Sequence, residues 1–283
     1  MRILVNTLSV GHLSGRHVVY GFLGQLASWP AGQHERVLLH YESSPPPSSI
    51  DGNHITRLAV SERSRGWAAR SIWESTQLPR IVRREGIDMV FTVSGAIAPR
   101  CPVPQVSLAQ NPWCFVRAAQ GPGLARAKAA LQRRAYRHAF TDAAFMFFIS
   151  RHLRDLYRSD AGGRKETRTD IAFVGLDDQT HAAADAARGQ VAKDPLRIVS
   201  VSAMAPWKGA ETVVAAVGEL HRRDIPATLH LVGPWTDPNY EAAVRRQVAD
   251  LELTEHVTIT GKVTKEELHD QYARAKVFTL MSC

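Results

Sequence analysis

Short β-branched runs alternate with helix-period segments along nearly the whole chain. That rhythm leaves a parallel sheet covered by helices as the architecture to expect. In the first block, strands are read at residues 2–8, 35–41, 54–60, 88–93, 105–109, 144–150 and 170–174. Between them, Val18, Val19, Phe22, Leu23 and Leu26 recur at helical spacing after a loop carrying Gly11 and Gly15. Helices are also read at 66–85, with Pro79 restarting the helix in a first turn, at 124–140 and at 151–158. The pattern breaks between about 176 and 195, where Asp177-Asp178-Gln179-Thr180 runs into an Ala-rich polar stretch. A second block follows, with strands at 196–202, 227–232, 257–260 and 277–281 and helices at 209–223, 239–251 and 265–275. The expected organisation is a domain over 1–177, a linker over 178–195 and a domain over 196–283. Two Rossmann-like domains facing a cleft follow from this layout, with ligands at the carboxyl ends of the strands. The last predicted strand reads as buried, and the covering helix that normally follows a parallel strand is not in the sequence, so the second domain reads as incomplete.

Composition excludes several classes. The 283 residues are 45% hydrophobic and 22% charged, an ordinary globular balance, and 15 prolines with 19 glycines are too few for a low-complexity chain. No apolar run approaches a membrane span, and Met1-Arg2-Ile3-Leu4-Val5 reads as a first strand, not a signal peptide. The cysteines, Cys101, Cys114 and Cys283, match no zinc spacing, and a reducing cytosol is the simple reading. The net charge of +8 points to anionic partners and is unevenly spread. Between Asp88 and Asp142 there is no acid, while Arg100, Arg117, Arg126, Lys128, Arg133, Arg134 and Arg137 all fall there. Leu124, Ala127, Leu131 and Ala135 lie on one side of the basic helix at 124–140. Its charges are either simply solvated or attracted to an anionic bilayer. No nucleic-acid-binding signature accompanies them.

The turn Ser202-Ala203-Met204-Ala205-Pro206-Trp207-Lys208-Gly209 lies between a predicted strand and helix. A lysine beside a helix N-terminus combines a full charge with free backbone N–H groups, which suits a diphosphate; a solvated lysine near a helix cap has the same spacing. There is no His-Glu-x-x-His, no paired Cys-x-x-Cys, no phosphate loop ending in Gly-Lys-Ser/Thr and no Asp-x-Asp at a strand end, so no bound metal is implied.

Four separated blocks, in order, carry a resemblance. They are Ser200–Thr212 around Lys208, Leu229-His230-Leu231-Val232-Gly233-Pro234, the run from Val257 through Gly261-Lys262-Val263 to Glu266-Glu267-Leu268, and Val277-Phe278-Thr279-Leu280-Met281-Ser282. They resemble the donor-binding domain of family 4 glycosyltransferases, which have the GT-B fold and use nucleotide-activated sugars. Weaker matches upstream include the Gly11/Gly15 loop, the Gln110-Asn111-Pro112-Trp113 segment and Ser150 before a helix. The resemblance implies that Lys208 holds the donor diphosphate and Gly233 and Pro234 line the nucleotide. It places Val263 by the base, Ser282 at the start of the last donor loop, and Gly11 and Gly15 in the first-domain loop near diphosphate and sugar. Gln110 stands where many relatives have a histidine; a neutral amide can hydrogen-bond a sugar hydroxyl but cannot act as a base.

Two departures matter. Ala203 stands where the family usually has an arginine partnering the lysine. The family's two-glutamate motif is expected just after Ser282, and the sequence stops at Cys283. The function that the resemblance implies is metal-independent, retaining transfer of a UDP- or GDP-linked sugar to a hydroxyl of a glycan or lipid-linked acceptor, in cell-surface polysaccharide assembly at the inner, cytoplasmic face of a membrane. The alternative is a non-catalytic remnant or nucleotide-binding module.

Overall fold

A computed structural model of the chain describes residues 1–10, 13–27, 34–47, 50, 55–117, 120, 123–175, 178–187 and 191–282. The chain divides into two compact units, Met1–Gly175 and Leu176–Cys283.

The first unit carries strands β1 (Arg2–Asn6), β2 (Glu35–Tyr41), β3 (Ile55–Val60), β4 (Met89–Thr92), β5 (Gln105–Ala109), β6 (Phe145–Phe148) and β7 (Thr169–Ile171). They form one sheet in the order β3-β2-β1-β4-β5-β6-β7, every pair parallel. Five helices cover it: α1 (Leu13–Ala27), α2 (Trp67–Thr76), α3 (Leu78–Arg84), α4 (Leu124–Asp142) and α5 (Arg151–Ala161). The central strand β1 is apolar on both sides because both are covered. Leu4 and Val90 pack with Leu78 and Val82 of α3 on one face, while Ile3, Val5 and Phe91 pack with Val19 and Leu23 of α1 on the other. The registers Leu4↔Val90↔Gln105 and Ser107↔Met146 carry the α3 face across the sheet to Met146 and Phe148. There α4 and α5 bury Tyr136, Phe140, Leu153 and Tyr157. Helices α2 to α5 thus share one face of the sheet and α1 takes the other.

Local signals set several boundaries. Pro79 stands in the first turn of α3, as expected. Ser150 caps α5 by accepting from the Leu153 N–H at 3.1 Å, and Gly162 closes that helix in the left-handed region at φ 61°. Asp160 of α5 is almost fully enclosed and receives the Arg133 guanidinium (Nε to Oδ1 2.7 Å), with Arg137 Nε 3.4 Å from its other oxygen. Two arginines of the basic helix therefore tie α4 to α5 while remaining partly open to solvent.

The second unit holds α6 (Asp178–Ala187), β8 (Asp194–Val201), α7 (Ala210–His221), β9 (Thr228–Val232), α8 (Pro238–Asp250), β10 (Val257–Gly261), α9 (Lys265–Arg274) and β11 (Ala275–Phe278). Its sheet runs β10-β9-β8-β11, again all parallel, so both units place their first strand beside their fourth. Thr264 and Glu267 form a capping box at the start of α9.

Two expectations are corrected, and a third holds. Much of the stretch read as a linker is helix α6, because its alanines favour helix and its polar side chains suit an exposed one. Strand β11 lies beside β8 with Val277 and Phe278 47% and 52% exposed, the uncovered apolar surface expected of it. The apolar stripe assigned to the basic helix faces outward, since α4 packs through Ala129, Tyr136, Ala139 and Phe140 instead. Among the described residues, no helix is long and apolar enough to cross a membrane.

Candidate functional site

In an open parallel sheet, ligands collect where the strand order reverses, beyond the carboxyl ends of the two strands that flank that point. In the second unit those strands are β8 and β11. The loop leaving β8 continues the pairing past the sheet: Ser202 N donates to Val232 O (3.1 Å), Met204 N to Pro234 O (2.8 Å) and Thr236 N to Met204 O (3.3 Å). Met204 is buried and pins this loop to the core. Pro206–Lys208 then make a single tight turn, closed by Lys208 N to Ala205 O at 2.8 Å, and Gly209 at φ 62° hands the chain to α7.

This turn aims Lys208 at the last loop, where its Nζ donates to Ser282 Oγ at 3.2 Å. Gly209 lets the same loop come close, since a Cβ there would lie 2.6 Å from Met281 O. Lys208 and Ser282, far apart in sequence, thus meet at the switch point and the N-terminus of α7. One expectation there is revised. The α7 N–H groups are not all free, because Ala210 N donates to Tyr240 Oη (3.0 Å), which in turn donates to the Glu211 carboxylate. Tyr240 and Glu211 are residues that spacing alone did not single out.

The remaining sequence candidates fall as follows. Gly233 (φ 135°) lies against Ser202, with its N–H on Gly261 O at 2.7 Å, and Pro234 follows it, exposed. Val263 packs against the small cluster of Val199, Val232 and Ala275. Ala203 is exposed and brings no second cation to the loop. Gln110 belongs to the first unit, where its side chain donates to Val93 O at 3.2 Å and ties the end of β5 to that of β4. Gly15 lies in the first turn of α1 instead of a loop, with 3.8 Å from its Cβ position to Val10 Cγ1; Gly11 lies outside the described residues.

The first unit holds a second polar group at its own switch point, between β1 and β4. Asn6 Nδ2 donates to Glu74 Oε1 (2.8 Å) while its Oδ1 accepts from Leu8 N (3.1 Å). Arg70 Nη1 reaches Leu8 O at 3.4 Å, and its Nε lies 3.9 Å from Glu74. The group borders a small cavity lined also by Thr92, Ser94 and Gln105. Burial raises the Glu74 pKa from 4.5, against smaller opposing pulls from Arg70 and Asn6. The folded chain therefore holds this proton more tightly than the unfolded one. The stability that goes with the proton is complete below the ordinary carboxylate pKa and is lost as pH rises through the raised value. Glu74→Gln keeps an oxygen for Asn6 and removes the titration. Its stability relative to the parent is expected to climb from pH 4.5 upward and then level off in urea unfolding at a series of pH values. A difference independent of pH would show that Glu74 does not titrate on folding.

Residues 183–283 match the family model described as glycosyl transferases group 1. A GDP-mannose-dependent alpha-(1-6)-phosphatidylinositol monomannoside mannosyltransferase of Mycolicibacterium smegmatis is 26% identical over 211 residues, covering 73% of this chain and 53% of that protein. The like-named protein of Mycobacterium tuberculosis is 29% identical over 138 residues, 47% of this chain and 34% of that one. The chain thus spans about half or less of the length of these relatives. Among solved structures, Anabaena Alr3699/HepE in complex with UDP and glucose superposes with a TM-score of 0.69 at 15% identity, covering 100% of this chain and 74% of that one. Sucrose-phosphate synthase from Thermosynechococcus elongatus gives 0.66 at 16%, covering 100% and 75%. With its two all-parallel units and these likenesses, the chain has the GT-B type of α/β fold, and its residues 183–283 resemble the group 1 glycosyltransferases.

Proposed function

We propose that the protein transfers a sugar from a nucleotide-linked donor to a hydroxyl of a glycan or lipid-linked acceptor. The observation that carries this reading is the meeting of Lys208 and Ser282 at the β8/β11 switch point, beside the N-terminus of α7. A cation and helix-end N–H groups are what a departing nucleoside diphosphate needs, since negative charge grows on its terminal phosphate as the bond to the sugar breaks. The donor is GDP- or UDP-linked; the GDP-mannose-dependent relatives favour GDP-mannose. Catalysis is mainly electrostatic and metal-independent, with the configuration at the anomeric carbon retained. The acceptor side is read as lipid-linked, at the inner, cytoplasmic face of a membrane in cell-surface polysaccharide synthesis.

The test is calorimetric titration of the purified chain with GDP and UDP, followed by chromatography of GDP-mannose and UDP-glucose incubated with it. Binding together with sugar release or transfer is the expected result. Nucleotide binding with no turnover would turn the reading into a nucleotide-binding module, and absence of binding at millimolar nucleotide would overturn both.

A further inference from the structure

On an exposed helix face, an arginine and a carboxylate one turn apart close directly on each other. Arg223 with Glu219, Arg245 with Glu241 and Arg274 with Asp270 do so, each at 2.7 Å. Arg70 and Glu74 of α2 do not. Their side chains are largely enclosed, and Arg70 Nε stops 3.9 Å from Glu74 Oε1 with no hydrogen-bond partner among the described residues. The end of β1 holds them apart. Glu74 Oε1 accepts from Asn6 Nδ2 at 2.8 Å, and Arg70 Nη1 donates to Leu8 O at 3.4 Å. Asn6 Oδ1 in turn accepts from Leu8 N, so α2 grips both polar groups of the Leu8 backbone, one directly and one through Asn6.

The gripped segment lies where a ligand crevice belongs. The first sheet reverses its order between β1 and β4, and ligands of open parallel sheets collect beyond the strand ends at such a point. From β2, Leu39 O holds the same segment by accepting from the Thr7 N–H (3.1 Å) and hydroxyl (2.7 Å). Asn6, Thr7 and Leu8 are buried, so α2 and β2 together set where the chain leaves the sheet. Within this grip Glu74 is the group that titrates, and burial favours its neutral carboxyl. Among the described residues, the phenols of Tyr41 (β2) and Tyr136 (α4) also face Arg70. Burial raises both, Tyr136 to about 12, so they stay neutral. Arg65, 5.0 Å over the Tyr41 ring, adds a fixed charge, as guanidinium groups do.

We propose that Arg70 and Glu74 are positioning residues for the crevice of the first unit: with Glu74 neutral they hold the end of β1 through Asn6 and Leu8, and ionisation of Glu74 closes the guanidinium onto the carboxylate and frees Leu8. The unpartnered Nε makes the second arrangement available. A carboxylate 3.9 Å away offers it a charge-assisted bond, stronger than the 3.4 Å contact that Nη1 makes to a neutral carbonyl. The two arrangements differ by a short swing of one guanidinium. A substrate therefore meets a fixed β1 end at low pH and a loosened one at high pH. The inference deepens the reading of a sugar transferase and rests on it only for what the crevice receives, the hydroxyl acceptor.

The experiment is hydrogen exchange of the purified chain from about pH 5 to about pH 9, with rates converted to protection factors to remove the intrinsic pH dependence. In the parent, peptides covering 7–10 are expected to lose about tenfold in protection as pH rises, while 105–109 keep theirs. Glu74→Gln, which keeps an oxygen for Asn6 and cannot ionise, is expected to hold the low-pH protection throughout. Arg70→Met, which cannot bond Leu8 O, is expected to show the loosened segment at every pH. Parent protection at 7–10 that stays flat across the series, or that falls together with 105–109, would overturn the proposal. Turnover of GDP-mannose and UDP-glucose at the same pH values reads the consequence. The parent is expected to slow as 7–10 loosen, and Glu74→Gln to keep its rate toward higher pH. Identical pH profiles for the two proteins would overturn the positioning role even where the exchange result holds. No turnover in either protein, with the exchange result intact, sinks the transferase reading alone, and the grip on β1 is then carried by exchange.

Discussion

Lys208→Ala is expected to weaken nucleoside-diphosphate binding by about a hundredfold while leaving the melting temperature close to that of the parent. The estimate comes from charge. Hydrogen bonds to charged groups contribute about 1.5–3 kcal/mol, and each 1.4 kcal/mol is about tenfold in affinity. Lys208 stands at the upper end because the loop from Ser202 to Gly209 holds no other cation to share the charge with it. Stability should barely change, since among the described residues Nζ hydrogen-bonds the neutral Ser282 hydroxyl and pairs with no acid. Ser282→Ala is the matched control. It removes that partner and leaves the charge, so its effect on nucleotide affinity should stay below about tenfold. Calorimetry with GDP and UDP on the three proteins reads both effects. Affinity for Lys208→Ala within twofold of the parent would remove this lysine from the diphosphate site and, with it, the observation on which the proposed function stands.

What could be read from the sequence, and what could not, follows the range of the forces involved. Strand and helix order was legible because apolar period and turn residues are local: β2 and β5 have the predicted limits, and Pro79 restarts a helix as expected. The setting of Lys208 was legible because a strand–turn–helix junction is contained within a few residues. Its partner Ser282 was singled out only through resemblance, and their contact could not be, because it depends on β11 returning to lie beside β8. Glu74 was missed altogether. With Arg70 one turn away it reads as a solvent-facing pair of opposite charges, and only the fold shows that Asn6 and the end of β1 meet it there. The packed side of α4 was misjudged for a related reason. Its sequence offers two candidate stripes, and Leu124 and Leu131 look more hydrophobic than Ala129 and Ala139. Tyr136 and Phe140 win because their rings fill the space against Phe148 and Tyr157 of the sheet and α5.

Gly233→Ala is expected to destabilise the second unit by at least about 3 kcal/mol, enough to lose it as a cooperatively folded body, while the first unit stays folded. Two costs combine. At φ 135° the backbone lies in a region that L side chains rarely adopt, and a Cβ would stand 1.8 Å from Ser202 O and 2.9 Å from Ser202 C. Neither atom is the end of a flexible side chain, so relief requires the carboxyl ends of β8 and β9 to part. That parting breaks Ser202 N to Val232 O and strains Gly233 N to Gly261 O, the contacts that draw three strand ends together beneath the Lys208 loop. Gly261→Ala separates the two costs, since its φ is 73° but nothing lies within 4 Å of its Cβ position; it should cost only about 1 kcal/mol. Hydrogen exchange reads the outcome by unit: peptides from 194–261 should lose protection in Gly233→Ala, and peptides from 2–109 should keep theirs. If Gly233→Ala keeps its protection at 194–261, the strand ends have room to move apart. Lys208 and Ser282 would then owe their meeting to flexible loops, and a diphosphate arriving there would find a site that it must assemble for itself.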